Sequence, residues 1–235
     1  MSASSPSAQE IQQLFDRIAP VYDDFNQQLS LGLHQVWKQM AVDWCDAQTG
    51  DTCLDVCCGS GDLALLLAHR VGTTGQVYGL DFAAAQLAIA RQKAAAKARL
   101  SAVHWIEGDA LALPFEDNQF DAVTMAYGLR NLTNLSQGLS EIRRVLKPDA
   151  KAAILDFHRP ASQWLQQFQQ WYLATVVVPA AQRCGLTEEY AYIAPSVDRF
   201  PAGAEQVSLA RTVGFTAATH FPLAGGLMGT LVITK

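Results

Sequence analysis

The segment that decides the fold is Leu54-Asp55-Val56-Cys57-Cys58-Gly59-Ser60-Gly61-Asp62. It joins a short β-prone run, Thr52–Val56, to residues 63–71, which have helical spacing. Gly59 and Gly61 have no Cβ and adopt positive φ readily, so the turn can approach a nucleoside or amino-acid ligand closely. A plain tight turn, or the loop of a nicotinamide or flavin fold, is also compatible with this Gly-x-Gly pattern. The segment therefore predicts a strand, a turn and a helix, with a candidate ligand site at the turn.

Strands and helices continue to alternate along the chain. Further strands are predicted over residues 76–80, 102–107, 120–127 and 151–157, and helices over residues 83–98 and 135–146. Pro148 is expected to stop the second of these helices. Residues 216–221 and 227–234 are predicted to form an antiparallel hairpin around a turn at 222–226. This order favours an α/β fold with a mostly parallel, seven-stranded sheet, which binds ligands at the carboxyl ends of its strands.

The helical segments outside this alternation define the expected domain organisation. Residues 1–10 are predicted to be a disordered tail, and residues 11–235 a single domain. Within it, residues 11–48 form an N-terminal helical cap of two or three helices, broken at Pro20 and Gly32. Residues 161–200 form a helical insertion over the ligand site. Two helical segments are thus expected to frame one α/β core.

The composition narrows the classes of partner. Hydrophobic residues make up 50% of the 235 residues and charged residues only 17%, which favours an apolar substrate or a membrane surface. The formal net charge of -5 provides no basic field for phosphate backbones, so we predict no nucleic-acid partner. The five histidines and five cysteines lack the spacing of metal ligands, so we predict no metal and reduced thiols.

No targeting or membrane-spanning segment is expected. The longest apolar run, residues 173–181, is too short to cross a bilayer and is interrupted by Pro179. Residues 1–9 lack the basic and apolar regions of a secretory signal. We therefore expect a cytoplasmic protein, with peripheral contact to a membrane left open.

Three aspartates fall at the ends of successive predicted strands. Asp55 lies beside the glycine turn, Asp81 at the end of the second strand, and Asp109 at the end of the third. A carboxylate at the second strand end can accept both ribose hydroxyls of a nucleoside. The Asp109-Ala110 pair, followed by Leu113-Pro114-Phe115, is typical of methyl-donor sites, where Asp109 can reach an adenine amino group. Each aspartate alone could instead be a helix N-cap.

Four further segments carry a resemblance to a known family. They are Phe15-Asp16-Arg17-Ile18-Ala19-Pro20-Val21-Tyr22-Asp23, Leu31-Gly32-Leu33-His34-Gln35-Val36-Trp37-Lys38, Tyr127-Gly128-Leu129-Arg130-Asn131 and Arg143-Arg144-Val145-Leu146-Lys147-Pro148. From about residue 12 to 235 the chain resembles the UbiE/MenG quinone C-methyltransferases. The resemblance implies a class I, Rossmann-like methyltransferase fold. It also implies transfer of a methyl group from S-adenosylmethionine to a ring carbon of a prenylated quinol.

Two departures refine the resemblance. Cys57-Cys58 stands where most members of the family have Ala-Gly, and Asp149 where glycine is usual. The Cys-Cys-Gly form, with Gly225-Gly226-Leu227-Met228-Gly229, is similar to the branch from oxygenic phototrophs. That branch methylates 2-phytyl-1,4-naphthoquinol to phylloquinol in phylloquinone (vitamin K1) biosynthesis, for photosynthesis. Demethylmenaquinol and a ubiquinone-precursor benzoquinol remain alternative substrates. A regulator that binds the donor without turnover and a nicotinamide-dependent reductase are alternatives of other classes.

The resemblance also implies roles for individual residues. The residues implied to contact S-adenosylmethionine or to shape its pocket are Asp55, Gly59, Ser60, Gly61, Asp81, Phe82, Asp109, Ala110 and Tyr127. Tyr127 stands where relatives often have serine, so a backbone contact would survive there and a hydroxyl contact would be displaced.

Four residues are candidates for catalysis. Arg130 and Asn131 are expected to orient the quinol oxygen or a water and to stabilise the developing oxyanion. A structural ion pair is the alternative role for Arg130. Arginine is too basic to act as the general base, so a polarised water, His34 or Asp23 is the candidate base.

An aromatic run lies in the predicted insertion. Trp164, Phe168, Trp171 and Tyr172 follow helical spacing, which fits either an isoprenoid groove or ordinary core. The expected partners are a prenylated naphthoquinol, a membrane surface in peripheral contact and a second copy of the chain in a homodimer.

Overall fold

The computed structural model describes residues 7–96 and 103–235. The strands are β1 Thr52–Val56, β2 Gln76–Asp81, β3 Val103–Glu107, β4 Phe120–Ala126, β5 Leu146–Phe157, β6 Ala217–Leu223 and β7 Met228–Thr234. The helices are α1 Ala8–Ile18, α2 Tyr22–Leu29, α3 Leu33–Trp44, α4 Asp62–Val71, α5 Ala84–Ala95, α6 Leu135–Val145, α7 Gln163–Tyr172, α8 Val178–Gln182, α9 Thr187–Ala191, α10 Ile193–Arg199 and α11 Gly203–Val213. The last two residues of the helix predicted over residues 83–98, and residue 102, where the third strand is predicted to begin, lie outside the described residues.

The seven strands form one sheet in the order β3-β2-β1-β4-β5-β7-β6. Strands β1 to β5 pair in parallel, and β7 pairs antiparallel with both β5 and β6. The chain crosses from one half of the sheet to the other between β1 and β4, which is where ligands bind in doubly wound sheets. The predicted α/β fold with a C-terminal antiparallel hairpin is confirmed.

Apolar residues cover both faces of the sheet, as expected for strands buried on both sides. One face packs against α6 and α11 through fully buried Leu139, Ile142 and Ala210. The other packs against α3 and α4 through Val42 and Leu67. Both faces are occupied, so the carboxyl ends of the strands are left as the place for a cavity.

The first helix begins earlier than the sequence pattern indicated. The predicted disordered tail of residues 1–10 is wrong for residues 8–10, which belong to α1. The Ser7 hydroxyl accepts a hydrogen bond from the Glu10 N–H, and the Ser7 N–H donates to the Glu10 carboxylate at 2.7 Å. This capping box satisfies free N–H groups of the first turn and fixes the start of the helix.

Two prolines lie inside strands where the sequence predicted breaks. Strand β5 begins at Leu146, and Pro148 lies in an irregularity of its pairing with β4, where Asp149 has φ +64°. Pro222 lies within β6, the edge strand, rather than in the hairpin turn. Both positions tolerate proline because a bulge or a free edge does not require its missing N–H.

Candidate active site

The glycine loop after β1 places only one of its glycines at a cavity. Cys57, Gly59 and Gly61 all have positive φ. A Cβ on Gly59 would meet nothing closer than Gln86 Oε1 at 3.8 Å, so the glycine leaves open space on the ligand side. A Cβ on Gly61 would lie 2.6 Å from Trp105 Cη2. Gly61 therefore serves the packing of α4 against Trp105, and Gly59 the approach of a ligand.

A cavity of about 300 Å³ lies at the carboxyl ends of β1, β2 and β4 and is called here the strand-end cavity. Seven of the predicted site residues line it: Gly59, Asp81, Phe82, Asp109, Ala110, Tyr127 and Asn131. Gln12, Phe15, Gln86 and Gly108, which the sequence did not predict, also line it, as does Tyr22, which was expected to cap the site from the lead-in helices. Six of the nine predicted cofactor residues thus converge on one site, and Asp55, Ser60 and Gly61 do not line it.

The polar wall of the strand-end cavity includes several hydrogen-bond acceptors. The Asp81 carboxylate accepts from the Gly59 N–H at 2.8 Å and from the Ala83 N–H at 2.9 Å, so backbone fixes both oxygens. Burial raises the pKa of Asp81 to about 6. The Asn131 Nδ2 donates to the Tyr127 carbonyl at 3.0 Å, while its buried Oδ1 has no hydrogen-bond partner among the described residues. Such acceptors suit a ligand that carries hydroxyl and amino groups.

Asp55 lies behind the loop and holds it in place. Its carboxylate accepts from the Ala64 N–H at 3.0 Å and from the Thr124 hydroxyl at 2.9 Å, which ties β1 to α4 and β4. Burial raises its pKa to about 7. Asp55 does not line the strand-end cavity. Its contribution to the site is therefore the position of the glycine loop.

Ser60 and Asp23 belong to a charged cluster that joins the lead-in helices to the loop. The Ser60 hydroxyl donates to Asp23 Oδ1 at 2.6 Å, and Lys93 Nζ lies 2.9 Å from Asp23 Oδ2. Lys93 also pairs with Asp62, and Lys38 Nζ lies 2.7 Å from Asp62 Oδ2. Burial opposes ionisation of Asp62, but the two ammonium groups outweigh it and lower its pKa. We call these five residues the ionic latch.

A second cavity, of about 180 Å³, lies between the lead-in helices and the helices of residues 163–199 and is called here the cap cavity. Its apolar lining includes Leu14, Ile18, Trp37, Phe157, Phe168, Leu173, Val177, Ile193, Leu227 and Met228. Phe15, Tyr22 and Tyr127 line both cavities, so the two share a wall. A polar pocket therefore lies beside an apolar one, with three aromatic side chains at their junction.

Arg130 lies in the wall of the cap cavity and is held by a buried carboxylate. Its Nη1 donates to the Tyr127 carbonyl at 2.6 Å and to Asp156 Oδ1 at 2.7 Å, and its Nε donates to the Ser196 hydroxyl at 3.3 Å. Burial raises the pKa of Asp156, and the guanidinium opposes that shift. Arg130 is thus in an ion pair and at a cavity at once. Asp156 was not predicted, although it is another acidic residue at a strand end.

The two candidate bases occupy different surroundings. His34 is buried, lines the cap cavity and has Nδ1 2.8 Å from the Ser30 hydroxyl. Burial and the nearby Lys38 lower its pKa, so the imidazole is neutral and able to accept a proton. Asp23 lines neither cavity, and both its oxygens are engaged in the ionic latch. The geometry therefore favours His34 over Asp23.

The aromatic run of residues 163–178 divides between the cavity and the surface. Phe168 and Tyr172 line the cap cavity, which agrees with a groove. Trp164 and Trp171 are 69% and 55% exposed, and α7 has no buried residue. The alternative of ordinary core is therefore wrong for this helix.

The fold and the paired cavities define a class of protein. Two solved S-adenosylmethionine-dependent methyltransferases share the fold. The one from Aquifex aeolicus has a TM-score of 0.61 at 20% identity and covers 84% of this chain and 88% of its own. The one from Thermotoga maritima has a TM-score of 0.67 at 17% identity and covers 95% and 98%. At such identities the likeness shows the class I methyltransferase fold alone.

The family follows from sequence comparison. The ubiE/COQ5 methyltransferase family matches residues 3–235, and the chain belongs to that family of methyltransferases. A relative from Trichormus variabilis, named 2-phytyl-1,4-naphtoquinone methyltransferase, is 63% identical over 226 residues, 96% of this chain and 99% of the relative. A chloroplastic enzyme of the corresponding name from Arabidopsis thaliana is 49% identical, over 94% and 86%. The predicted family, fold class and enzyme class are confirmed.

Proposed function

We propose that this chain transfers a methyl group from S-adenosylmethionine to the ring carbon of 2-phytyl-1,4-naphthoquinol that lies next to the phytyl-bearing carbon. The observation that carries the proposal is the shared wall of Phe15, Tyr22 and Tyr127 between a polar cavity and an apolar one. Donor and prenylated acceptor can thus meet without water between them. The names of the relatives favour the phytyl substrate over demethylmenaquinol or a benzoquinol.

The strand-end cavity is the proposed site for S-adenosylmethionine, which supplies an electrophilic methyl group when bound. Asp81 is proposed to accept the ribose hydroxyls, since a carboxylate has about four lone-pair sites and the backbone N–H groups of Gly59, Phe82 and Ala83 leave acceptor capacity free. Asp109, with one oxygen bound to the Leu111 N–H at 2.9 Å, offers the other to the adenine amino group. The unpartnered Asn131 Oδ1 gives a further acceptor. Open space at Gly59 supports the fit.

Arg130 and His34 are the proposed catalytic residues on the acceptor side. A quinol carbon becomes nucleophilic when the neighbouring oxygen loses its proton. The guanidinium of Arg130, fixed by Asp156, stabilises the developing oxyanion. Neutral His34 takes the proton directly or through a water.

The proposal is tested by anaerobic turnover, with product identified by mass spectrometry. An oxidised naphthoquinone ring is electron-poor, so the chain should methylate the reduced substrate and leave the quinone nearly unchanged. The phytyl naphthoquinol is compared with a menaquinone-type naphthoquinol and a prenylated benzoquinol. Equal rates with reduced and oxidised substrate would contradict the mechanism. Preference for the benzoquinol would contradict the substrate.

A bilayer surface is the proposed partner of α7. Among the described residues, no helix is both long and apolar enough to cross a membrane. Residues 160–182 contain no charged side chain, and exposed Arg159 and Arg183 flank them. Exposed tryptophans with flanking basic residues are typical of helices that lie in the bilayer interface. From there, a lipid-dissolved tail can reach the cap cavity beside α7.

Vesicle sedimentation tests this contact. Wild-type protein should sediment with vesicles that contain anionic lipid, and a variant with Trp164→Ser and Trp171→Ser should stay in the supernatant. The molar mass of both proteins, measured by light scattering, tests whether a second copy of the chain covers this surface instead. A wild-type dimer that the variant loses, without vesicle binding, would show a homodimer interface instead.

A further inference from the structure

Three residues that line the cap cavity carry a buried polar atom with no hydrogen-bond partner among the described residues: Asn26, Tyr127 and Tyr190. Tyr190 is the one that lies on the helices of residues 163–199. Tyr190, in α9, is only 6% exposed and lines the cavity. Its hydroxyl is buried and has no hydrogen-bond partner among the described residues. The ring is fixed against Phe25, with ring centroids 4.8 Å apart. The position of the hydroxyl is therefore set by packing.

A buried hydroxyl without a partner destabilises the fold, whereas phenylalanine would fill the same space without that penalty. Burial also raises the pKa of Tyr190, so the group stays a neutral phenol that can donate. The buried residues of its cluster include Ile18, Val177 and Leu186, which have no polar side chain, and the Tyr22 phenol at the edge of the cluster does not hydrogen-bond it. A polar atom of a bound molecule is the partner that this geometry lacks.

The acceptor ring has one oxygen that the chemistry leaves unassigned. In a 1,4-quinol, only the oxygen next to the reacting carbon passes electron density to that carbon. The other oxygen is meta to it and does not activate it. Arg130 lies in the wall near the junction of the two cavities, with its guanidinium bonded to the Tyr127 carbonyl. Tyr190 reaches the same cavity from a separate helix, α9.

We propose that the Tyr190 hydroxyl hydrogen-bonds the quinol oxygen remote from the methylated carbon and so positions the ring and selects a 1,4-dihydroxy substrate. This inference rests on the proposed function. Tyr190 is a positioning residue, because the reacting atoms lie at the other oxygen. Two contacts from different elements, Arg130 and Tyr190, then fix both ends of the ring axis, which one contact cannot do.

The test pairs one variant with two acceptors. Tyr190→Phe removes only the hydroxyl and keeps the packing. The acceptors are 2-phytyl-1,4-naphthoquinol and a phytyl naphthol that retains only the hydroxyl next to the reacting carbon. We expect Tyr190→Phe to lower kcat/KM for the quinol by about five- to thirtyfold, as for one lost hydrogen bond. For the naphthol, kcat/KM should stay within about twofold of wild type. S-adenosylmethionine affinity should not change.

Tyr78→Phe is the matched control. Tyr78, in β2, lines neither cavity, and its hydroxyl donates to Gln76 Oε1 at 3.3 Å. It should behave like wild type with both acceptors. Wild-type kinetics of Tyr190→Phe with the quinol would overturn the inference. Equal losses with both acceptors would also overturn it, since they would show a structural role. If the wild type did not methylate the quinol, that result would contradict the proposed function itself and not only the role of Tyr190.

Discussion

The two cavities are built in different ways. The strand-end cavity takes its polar wall from turns that directly follow strands, and backbone N–H groups hold its main carboxylate, Asp81. The cap cavity takes its walls from α1 to α3 and from the helices of residues 163–199, which are far apart in sequence and meet through side chains. Backbone fixes the donor site, and side-chain packing fixes the acceptor site. Substitutions should therefore separate donor affinity from acceptor turnover.

Arg130→Ala should have the largest effect. It removes the cation beside the developing oxyanion, so we expect turnover to fall on the order of a thousandfold. Donor affinity should stay nearly unchanged, because Arg130 lines only the cap cavity. Steady-state kinetics and calorimetry with S-adenosylmethionine measure the two quantities. Arg130→Lys should rescue poorly, since a single ammonium cannot replace the planar guanidinium between Tyr127 and Asp156.

Loss of folding must be separated from loss of chemistry for this variant. Arg130→Ala leaves the Asp156 carboxylate buried without its cation, which costs about 3–5 kcal/mol of stability. The double variant with Asp156→Asn removes that charge and should regain much of the melting temperature. It should not regain turnover. Recovery of turnover in the double variant would show that Arg130 acts through structure alone.

Asp81→Ala should weaken the donor site and spare the acceptor site. Loss of two hydrogen bonds to ribose costs about 2–4 kcal/mol, or roughly thirty- to a thousandfold in S-adenosylmethionine affinity. The quinol KM at saturating donor should change little. Asp149→Asn, which removes a carboxylate far along β5 from either cavity, is the control. Unchanged donor binding by Asp81→Ala in calorimetry would remove Asp81 from the donor site.

The same contrast explains what the sequence could predict. Strand, turn and helix are local patterns, and parallel strands end at one edge, so Gly59, Asp81 and Asp109 could be placed together from their positions alone. The role of Gly61 was missed because its contact with Trp105 joins elements far apart in the chain. Nothing local distinguishes a glycine that faces a ligand from one that faces a tryptophan.

The cap cavity could not be assembled from sequence for the same reason. The resemblance placed Arg130 at the acceptor. Asp156 reaches Arg130 from β5, beside β4, and Tyr190 joins the same cavity only after the helices pack. Asp23 was predicted as a base because of its motif, and the structure commits its carboxylate to Lys93 and Ser60. The ion-pair partner of a charged side chain in a motif cannot be predicted until the fold is known.

Acid should weaken the side of the fold that carries α7. His158 Nε2 lies 3.0 Å from His220 Nε2, and the His158 carbonyl accepts from Gln169 of α7 at 2.9 Å. Burial, with His220 beside it, lowers the pKa of His158 from 6.5 to about 4. Between these values the His158 side chain binds a proton in the unfolded chain and not in the folded chain, so its contribution to stability falls as pH decreases. The expected loss is about 2 kcal/mol between roughly pH 7.5 and pH 5.

Urea unfolding across this pH range, for wild type and His158→Gln, checks the linkage. On acidification, the unfolding free energy of wild type should fall by about 2 kcal/mol relative to that of the variant, whatever their stabilities at neutral pH. Asp55 contributes the opposite slope, because its raised pKa favours the folded state at low pH. That contribution is common to both proteins and cancels in the difference. Identical slopes would show that the histidine pair does not titrate with unfolding.

Asp23→Asn should have the smallest effect and should decide between a latch and a base. Asp23 and Lys93 are partly exposed, so their pairing is worth about 1 kcal/mol or less. The variant keeps an acceptor for Ser60 but loses the charge that holds α2, which carries Tyr22, against the glycine loop. We expect S-adenosylmethionine affinity to fall by about fivefold or less, and kcat at saturating donor to stay within about twofold. High salt should weaken donor binding by wild type more than by the variant, since screening acts on the pair that the variant lacks. Asp24→Asn, on the exposed side of the same helix, is the control. A collapse of kcat with unchanged donor affinity would instead make Asp23 the proton acceptor, and the acceptor chemistry would then depend on the ionic latch.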